Sequence, residues 1–249
     1  CAVFWNNSRL AILREESIEF QKFGMRHNVA QLFIFKSNSE AAKEQKFVVG
    51  NIHVLFNPNR GDLKLGQMRI FLERAYQISE EWGRIPVIIC GDLNSTPQSA
   101  LYEYLATSKL DTLLHSRRNI SGQICRNNST SAENRIKYVW SEEERRFATG
   151  SNTSTSLYHR LNLSSAYRGV PGSRRSRDGC GEPLATSYHS KFIGTVDYIW
   201  HSEGLLPVRV LETLPLKILR STFGLPNKRH GSDHIVLVCE LVFANDDEN

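Results

Sequence analysis

The pattern of apolar and polar positions divides the chain into a regular front, an irregular middle and a regular end. Residues 2–5, 9–14, 28–36 and 47–56 are apolar or alternating runs set apart by polar, turn-like spacers, and each predicts a β-strand. Over 63–82, Leu65, Met68, Leu72, Ala75, Ile78 and Trp82 recur at spacings of three and four. That period marks one face of an amphipathic helix, with Asp62 as its expected N-cap. Residues 85–90 form a short apolar run of buried-strand type that ends abruptly in Gly91-Asp92-Leu93-Asn94, and a second short helix is predicted over 98–106. Strand patterns return at 192–201, 206–212 and 235–243.

From about 116 to 187 neither period is sustained, apart from brief stretches near 136–140 and 157–163. This segment holds 13 Ser, and 12 Lys+Arg against 6 Asp+Glu. Composition of that kind predicts a flexible Ser/Arg-rich insertion within one domain spanning 1–244, followed by an acidic, frayed tail at 245–249. The formal charge of +5 and pI near 9.0 therefore belong to the insertion, and the rest of the chain is nearly neutral. Arg174-Arg175-Ser176-Arg177 within it reads as a phosphorylatable or nucleic-acid-sticky stretch, or as plain disorder. No apolar run approaches the roughly 20 residues a membrane helix needs, so no membrane helix is expected.

The five cysteines (1, 90, 125, 180, 239) lack CxxC spacing and are odd in number, which argues against a metal cluster and against a disulfide framework. A reducing compartment, cytoplasm or nucleus, fits better. The chain starts at Cys1 directly in an apolar stretch, which reads as a cut through a domain.

Short polar clusters interrupt the apolar runs. They are Gly50-Asn51-Ile52-His53, Gly91-Asp92-Leu93-Asn94-Ser95, Thr195-Val196-Asp197-Tyr198-Ile199-Trp200 and Gly231-Ser232-Asp233-His234. Asp and Asn flanked by buried apolar residues are costly unless paired or metal-bound. Singly each has a bland reading as a turn or a satisfied core residue; together, in this order, they point to a site. Asp92 and Asn94, two apart in an extended segment, point the same way. A carboxylate and an amide on one face can orient a water and a phosphate oxygen. A His beside an Asp supplies a cation next to a carboxylate able to hold Mg²⁺. Phosphodiester hydrolysis needs an oriented water, a divalent ion and a stabiliser of the crowded transition state.

The order NxH, GDxNS, xVDYIW, SDH resembles the endonuclease/exonuclease/phosphatase superfamily. The stretches NPNRGDLKLGQ, GDLNSTPQSALYEYL and FIGTVDYIW are similar to its carbon catabolite repressor 4-like deadenylases, the plant branch in particular. The resemblance covers 1–115 and 188–244. It implies a DNase I-like, two-sheet α/β sandwich, incomplete at its N-terminus. It also implies a Mg²⁺-dependent 3′→5′ poly(A) exoribonuclease releasing 5′-AMP, acting on single-stranded poly(A) RNA and working beside other mRNA-decay proteins.

Residue by residue, the resemblance implies that Asp92 orients or deprotonates the attacking water and holds metal, and that Asn94 contacts the scissile phosphate. His234 would stabilise the transition state with Asp197 hydrogen-bonded to it, Asp233 would hold or position Mg²⁺, and His53 would contact a phosphate oxygen. Phe192 matches an aromatic on which adenine stacks and Pro58 a residue flanking that base; Phe192 reads equally as a strand core residue. The sequence also departs from the pattern. The principal metal-ligand Glu is expected upstream of Cys1 and is absent, so this chain is expected to be weakly active. Asn57 stands where Asp is expected, and Ser187 or His189 where Asn is common. Two rivals share these motifs: a phosphatase acting on a small adenine nucleotide, and a non-catalytic RNA-binding or scaffold protein.

Overall fold

In the computed structural model, which describes residues 1–38, 45–123 and 138–244, the regular front of the chain builds a mixed sheet. Strands β1 (Leu10–Glu19), β2 (Val29–Ser37) and β3 (Lys46–His53) pair antiparallel in succession. Helix α1 (Gly61–Glu81) then carries the chain back so that β4 (Val87–Asp92) lies parallel to β3. Helix α2 (Ala100–Thr107), β5 (Lys109–Asp111), α3 (Glu142–Thr149), β6 (Ser156–Tyr158) and β7 (Ser164–Ser165) follow. The chain ends with the hairpin β8 (Ser187–His189) and β9 (Phe192–Gly194), then β10 (Asp197–His201), β11 (Leu205–Val210), α4 (Leu216–Arg220) and β12 (Cys239–Phe243). The six-stranded sheet has the order β1-β2-β3-β4-β10-β7, with β10 antiparallel to both neighbours.

The apolar run in β2 is continuous because both faces of the sheet are covered. Ala30, Leu32 and Ile34 join Val48, Ile52, Val87 and Ile89 under α1, whose Leu65, Met68, Phe71, Leu72, Ala75 and Ile78 are buried against them. Gly50 lets the helix sit this close: a Cβ there would lie 2.6 Å from the Phe71 ring and 2.8 Å from Ile89 Cδ1. Phe33 and Phe35 point to the other face, where Phe35 contacts Phe47 at 5.9 Å and Phe47 meets Phe243 of β12 edge-on at 6.0 Å. The antiparallel β11–β12 pair is thus the second layer, and the architecture is the α/β sandwich expected from the sequence.

Four local expectations are corrected. Residues 2–5 form no strand: they are mostly exposed and find no ladder partner. They lie across the second face, with Trp5 5.9 Å from Phe35 and the Ala2 carbonyl accepting from Asn51 Nδ2, while Phe4 stays exposed. Asp62 does not cap α1. It lies within the first turn, fully buried, accepting from Arg60 Nη2 at 2.7 Å. The 235–243 run is strand only from Cys239. Ile235 N instead donates to Thr186 O and Val238 N to Tyr167 Oη.

The fourth correction concerns 116–187. Residues 138–187 are not a loose insertion. They bury Trp140, Ala148, Leu157, Leu161 and Leu163 in the main core, and α3 begins with a reciprocal capping box between Ser141 and Glu144. Ser176 and Arg177 are buried as well, with Arg177 bridging Glu212, Tyr167 O and Gly181 O. The segment lacks a period because its core residues come from turns and short elements. Cys125 and residues 136–137 lie outside the described residues, as does the 245–249 tail. The other four cysteines are free thiols.

Candidate active site

Three strand ends meet at one point. His53 closes β3, Asp92 closes β4 and Asp197 opens β10, and in register His53 lies opposite Asp92, which lies opposite Asp197. The β3–α1–β4 crossover sets two carboxyl strand ends side by side, the usual place for a site on such a sheet. Gly91 makes the approach possible. Its φ of 136° suits glycine, and a Cβ would fall 1.9 Å from the Ile52 carbonyl oxygen.

Beyond β4 the chain turns sharply, with Asn94 in the left-handed region at φ 45°. Asp92 Oδ1 accepts from the Asn94 backbone N–H at 2.8 Å, and the Asn94 side chain donates to Val54 O at 2.9 Å. Lys64 of α1, wholly buried beneath this turn, donates to Asn94 O at 2.6 Å and to Gln123 Oε1 at 3.3 Å. The turn is therefore fixed from both sides.

His234 arrives from the long connection between β11 and β12. Strand β8 holds it in place: Tyr188 N donates to Asp233 O, and Ile235 N to Thr186 O. The Thr186 hydroxyl, on the residue that leads into β8, also accepts from the Val196 and Asp197 backbone N–H groups at 3.0 and 3.1 Å, tying the start of β10 to the same segment. His234 Nδ1 then bonds Asp197 Oδ2 at 2.8 Å, and His53 Nε2 lies 3.4 Å from Asp92 Oδ2.

The electrostatics follow from burial and like charge. Desolvation, then the neighbouring Asp197, raises the Asp92 carboxyl above its ordinary range. The hydrogen bond to Asp197 pushes His234 up to about 9, so it is an imidazolium at neutral pH. Burial brings the Lys64 ammonium down to about 7, opposed by the charge of Asp92.

A cavity of about 600 Å³ opens over this group. His53, Pro58, Asp92, Asn94, Phe192, Asp233 and His234 all line it, and Asp197 stands behind His234. The residues to which the resemblance gives a role in the site are thereby brought together. Ser187 and His189, the positions where Asn is common, line it as well, and so do Phe56, Gln123 and Lys191, which were not anticipated. Nor were Lys64 and Thr186, which act from beneath. The signal for Lys64 was present: it falls on the 64, 68, 71, 75, 78 stripe that α1 turns to the core.

One side-chain N or O atom from each of Asp92, Asp197 and His234 lies within 4.8 Å of the others, and with His234 protonated the two carboxylates are the candidate ligands. Two carboxylates this close, one of them with its ionised form disfavoured, are what a hard divalent cation relieves, so the residues fit such an ion. Asp197, read from the sequence as the partner of His234, belongs to this group; Asp233 lines the cavity outside it. No Glu lines the cavity among the described residues.

Known proteins carry the same arrangement of chain. Carbon catabolite repressor protein 4 homolog 5 of Arabidopsis thaliana is 54% identical over 269 residues, covering 99% of this chain and 59% of that protein. The CCR4-Not complex 3′-5′-exoribonuclease subunit Ccr4 of Phaeosphaeria nodorum is 24% identical over 297 residues, covering 97% and 44%. The chain thus spans less than three fifths of either relative. Among solved structures, ANGEL2, a 2′,3′-cyclic phosphatase in complex with adenosine-2′,3′-vanadate, matches with a TM-score of 0.76 at 26% identity, covering 95% of this chain and 68% of that one. A family model for the Endonuclease/Exonuclease/phosphatase family matches residues 8–234, from just before β1 to His234 itself. The chain belongs to that family.

Proposed function

We propose that the site hydrolyses the terminal phosphodiester of single-stranded poly(A) RNA in the 3′→5′ direction, with Mg²⁺, releasing 5′-AMP. One observation carries the reading. Asp92 and His234, with Asp197 behind His234, line the same cavity as Phe192 and Pro58, so charge for a phosphate and an apolar plate for a base face one space. The name of the fungal relative, a 3′-5′-exoribonuclease subunit, supports the direction of attack.

Asp92, at the end of β4 and lining the cavity, takes the proton of the attacking water. The water oxygen bonds to phosphorus as the bond from phosphorus to the 3′ oxygen of the preceding nucleotide breaks, and that oxygen takes a proton from solvent water to become the 3′ hydroxyl of the shortened strand. His234, held protonated by Asp197, donates toward a non-bridging phosphate oxygen, where charge grows in the transition state. Asn94 and His53 hold the phosphate from the β3–β4 side. Bound Mg²⁺ supplies charge neutralisation and water polarisation, with Asp92 and Asp197 as its carboxylate ligands and Asp233 as a further oxygen ligand or positioning group. Phe192 stacks the terminal adenine against Pro58. Such work beside other mRNA-decay proteins suits a reducing compartment, cytoplasm or nucleus.

A second reading, a phosphatase acting on a small adenine nucleotide, is favoured by the likeness to a 2′,3′-cyclic phosphatase holding an adenosine vanadate. Product analysis separates the two. The whole protein is given labelled oligo(A), oligo(A) ending in a 2′,3′-cyclic phosphate, and a dinucleotide 2′-phosphate, each with Mg²⁺. Stepwise shortening with 5′-AMP as product is expected. Opening of the cyclic phosphate or release of inorganic phosphate without shortening establishes the phosphatase instead. Binding of oligo(A) in EDTA with no turnover of any substrate leaves the non-catalytic alternative.

A further inference from the structure

A second cavity, of about 710 Å³, adjoins the catalytic one and shares His189 with it. Its chemistry is the opposite. The catalytic cavity is lined by Asp92 and Asp233, whereas among the described residues no carboxylate lines the second one, which is walled by Lys228, Arg229, Phe223 and the backbone between them. Lys228 and Arg229 are exposed, and neither has an ion-pair partner among the described residues. Phe223 is wholly exposed, so its ring faces are open to a stacking partner.

This wall is not a loose loop. Asn227 and His230 exchange backbone hydrogen bonds at 2.8 and 3.2 Å, and Asn227 Oδ1 accepts from the Arg229 N–H. Leu225 is buried beside Leu219 and Ala185, and its N–H donates to Tyr188 O of β8. That strand also positions His234, so the basic wall and the catalytic histidine share one support. Between the cavities, the His189 ring lies 6.0 Å from that of Phe192.

We propose that the second cavity is the path of the RNA strand as it leaves the catalytic cavity, with Phe223 stacking a base and Lys228 and Arg229 each meeting a phosphate. The inference rests on the reading of the catalytic cavity as a site for an RNA end. Continuity through His189, positive charge without counter-charge and an unburied aromatic plate together match a single strand, which needs cations along its backbone and π-faces for its bases. A small nucleotide fills only the first cavity and makes no use of the second.

The test is fluorescence anisotropy with the full chain in EDTA, using labelled adenosine dinucleotide and decamer over a range of salt. The decamer is expected to bind more tightly than the dinucleotide. Phe223→Ala lowers decamer affinity by about 5- to 150-fold, the range for one lost base stack. Lys228→Ala/Arg229→Ala makes the log–log salt dependence shallower by about 1.4, two phosphates at about 0.7 each. In both variants the ratio of decamer to dinucleotide affinity falls. These side chains are exposed, so thermal melts should coincide with wild type. Equal affinity for the two lengths, or variants with unchanged decamer affinity and salt slope, overturns the proposal. Cleavage of the dinucleotide by the whole protein with Mg²⁺ reads the catalytic assignment separately. Cleavage with unaltered variants removes the path alone, while weakened variants without cleavage keep the path and remove the catalytic reading.

Discussion

His234 owes its charge to its surroundings, and that makes it the most direct residue to interrogate. With the imidazole raised to about 9 by Asp197, the metal-free protein should show its ring resonances titrating there by NMR, and Asp197→Asn should move them back toward the ordinary value near 6.5. The sign for stability follows. A raised pKa means the folded state binds the proton more tightly, so the pair's contribution is complete below about 6.5 and is lost as the pH rises through about 9. Urea midpoints should fall across that window in wild type and stay flatter in Asp197→Asn. Lys64 gives a second residue-scale test. Lys64→Met strips the buried Asn94 carbonyl of its donor and should cost about 1–3 kcal/mol in urea melts. It should also slow turnover by about 10- to 100-fold, the range for losing a group that positions a site residue. The carboxylates and His234 were legible in the sequence because polar residues at the ends of apolar runs demand compensation. Lys64 was not, since a lysine on a helix reads as solvent-facing until its stripe is compared with that of Met68 and Phe71.

Elements were legible where both hydrogen bonding and burial repeat along the chain. β2, β3 and α1 carry their periods openly, and α1 spans Gly61–Glu81 against an expected 63–82. Residues 138–187 were misread because a short helix, short strands and turns deliver Trp140, Leu157 and Tyr167 to the interior with no shared period. A usable signal was there: Ser141-Glu142-Glu143-Glu144 spells a capping box, and the structure forms it. Ser141→Ala should therefore destabilise the protein by about 0.5–2 kcal/mol in urea melts, with faster hydrogen exchange over 142–149. A loose insertion would return an unchanged melt and no protection there. The strand readings of 2–5 and 235–238 failed for the converse reason. Both stretches are apolar and lie against other groups, yet their hydrogen bonds go to side chains or to isolated partners instead of a ladder.

At the scale of the whole molecule, two layers of strands around one helix-covered sheet leave a row of strand ends open. Chemistry collects there because β3, β4 and β10 deliver one polar residue each to the same point. The layout also sorts charge. Carboxylates gather over the strand ends, while Lys228 and Arg229 sit to one side on a wall anchored by β8. Fold and family could be reached from motifs in order along the chain; the place of Phe223 in the second cavity could not, because it belongs to no motif and shares a wall with Lys228 only through the path between β11 and β12. The central claim is that Asp92 is the base of a 3′→5′ exoribonuclease. The measurement that tests it most directly is the rate of 5′-AMP release from labelled oligo(A) by the whole protein with Mg²⁺, for wild type and Asp92→Ala. A fall of about 10²- to 10⁴-fold in the variant, with binding of oligo(A) in EDTA preserved, is the predicted result. Undiminished release of 5′-AMP by Asp92→Ala, or no release by wild type, would contradict it.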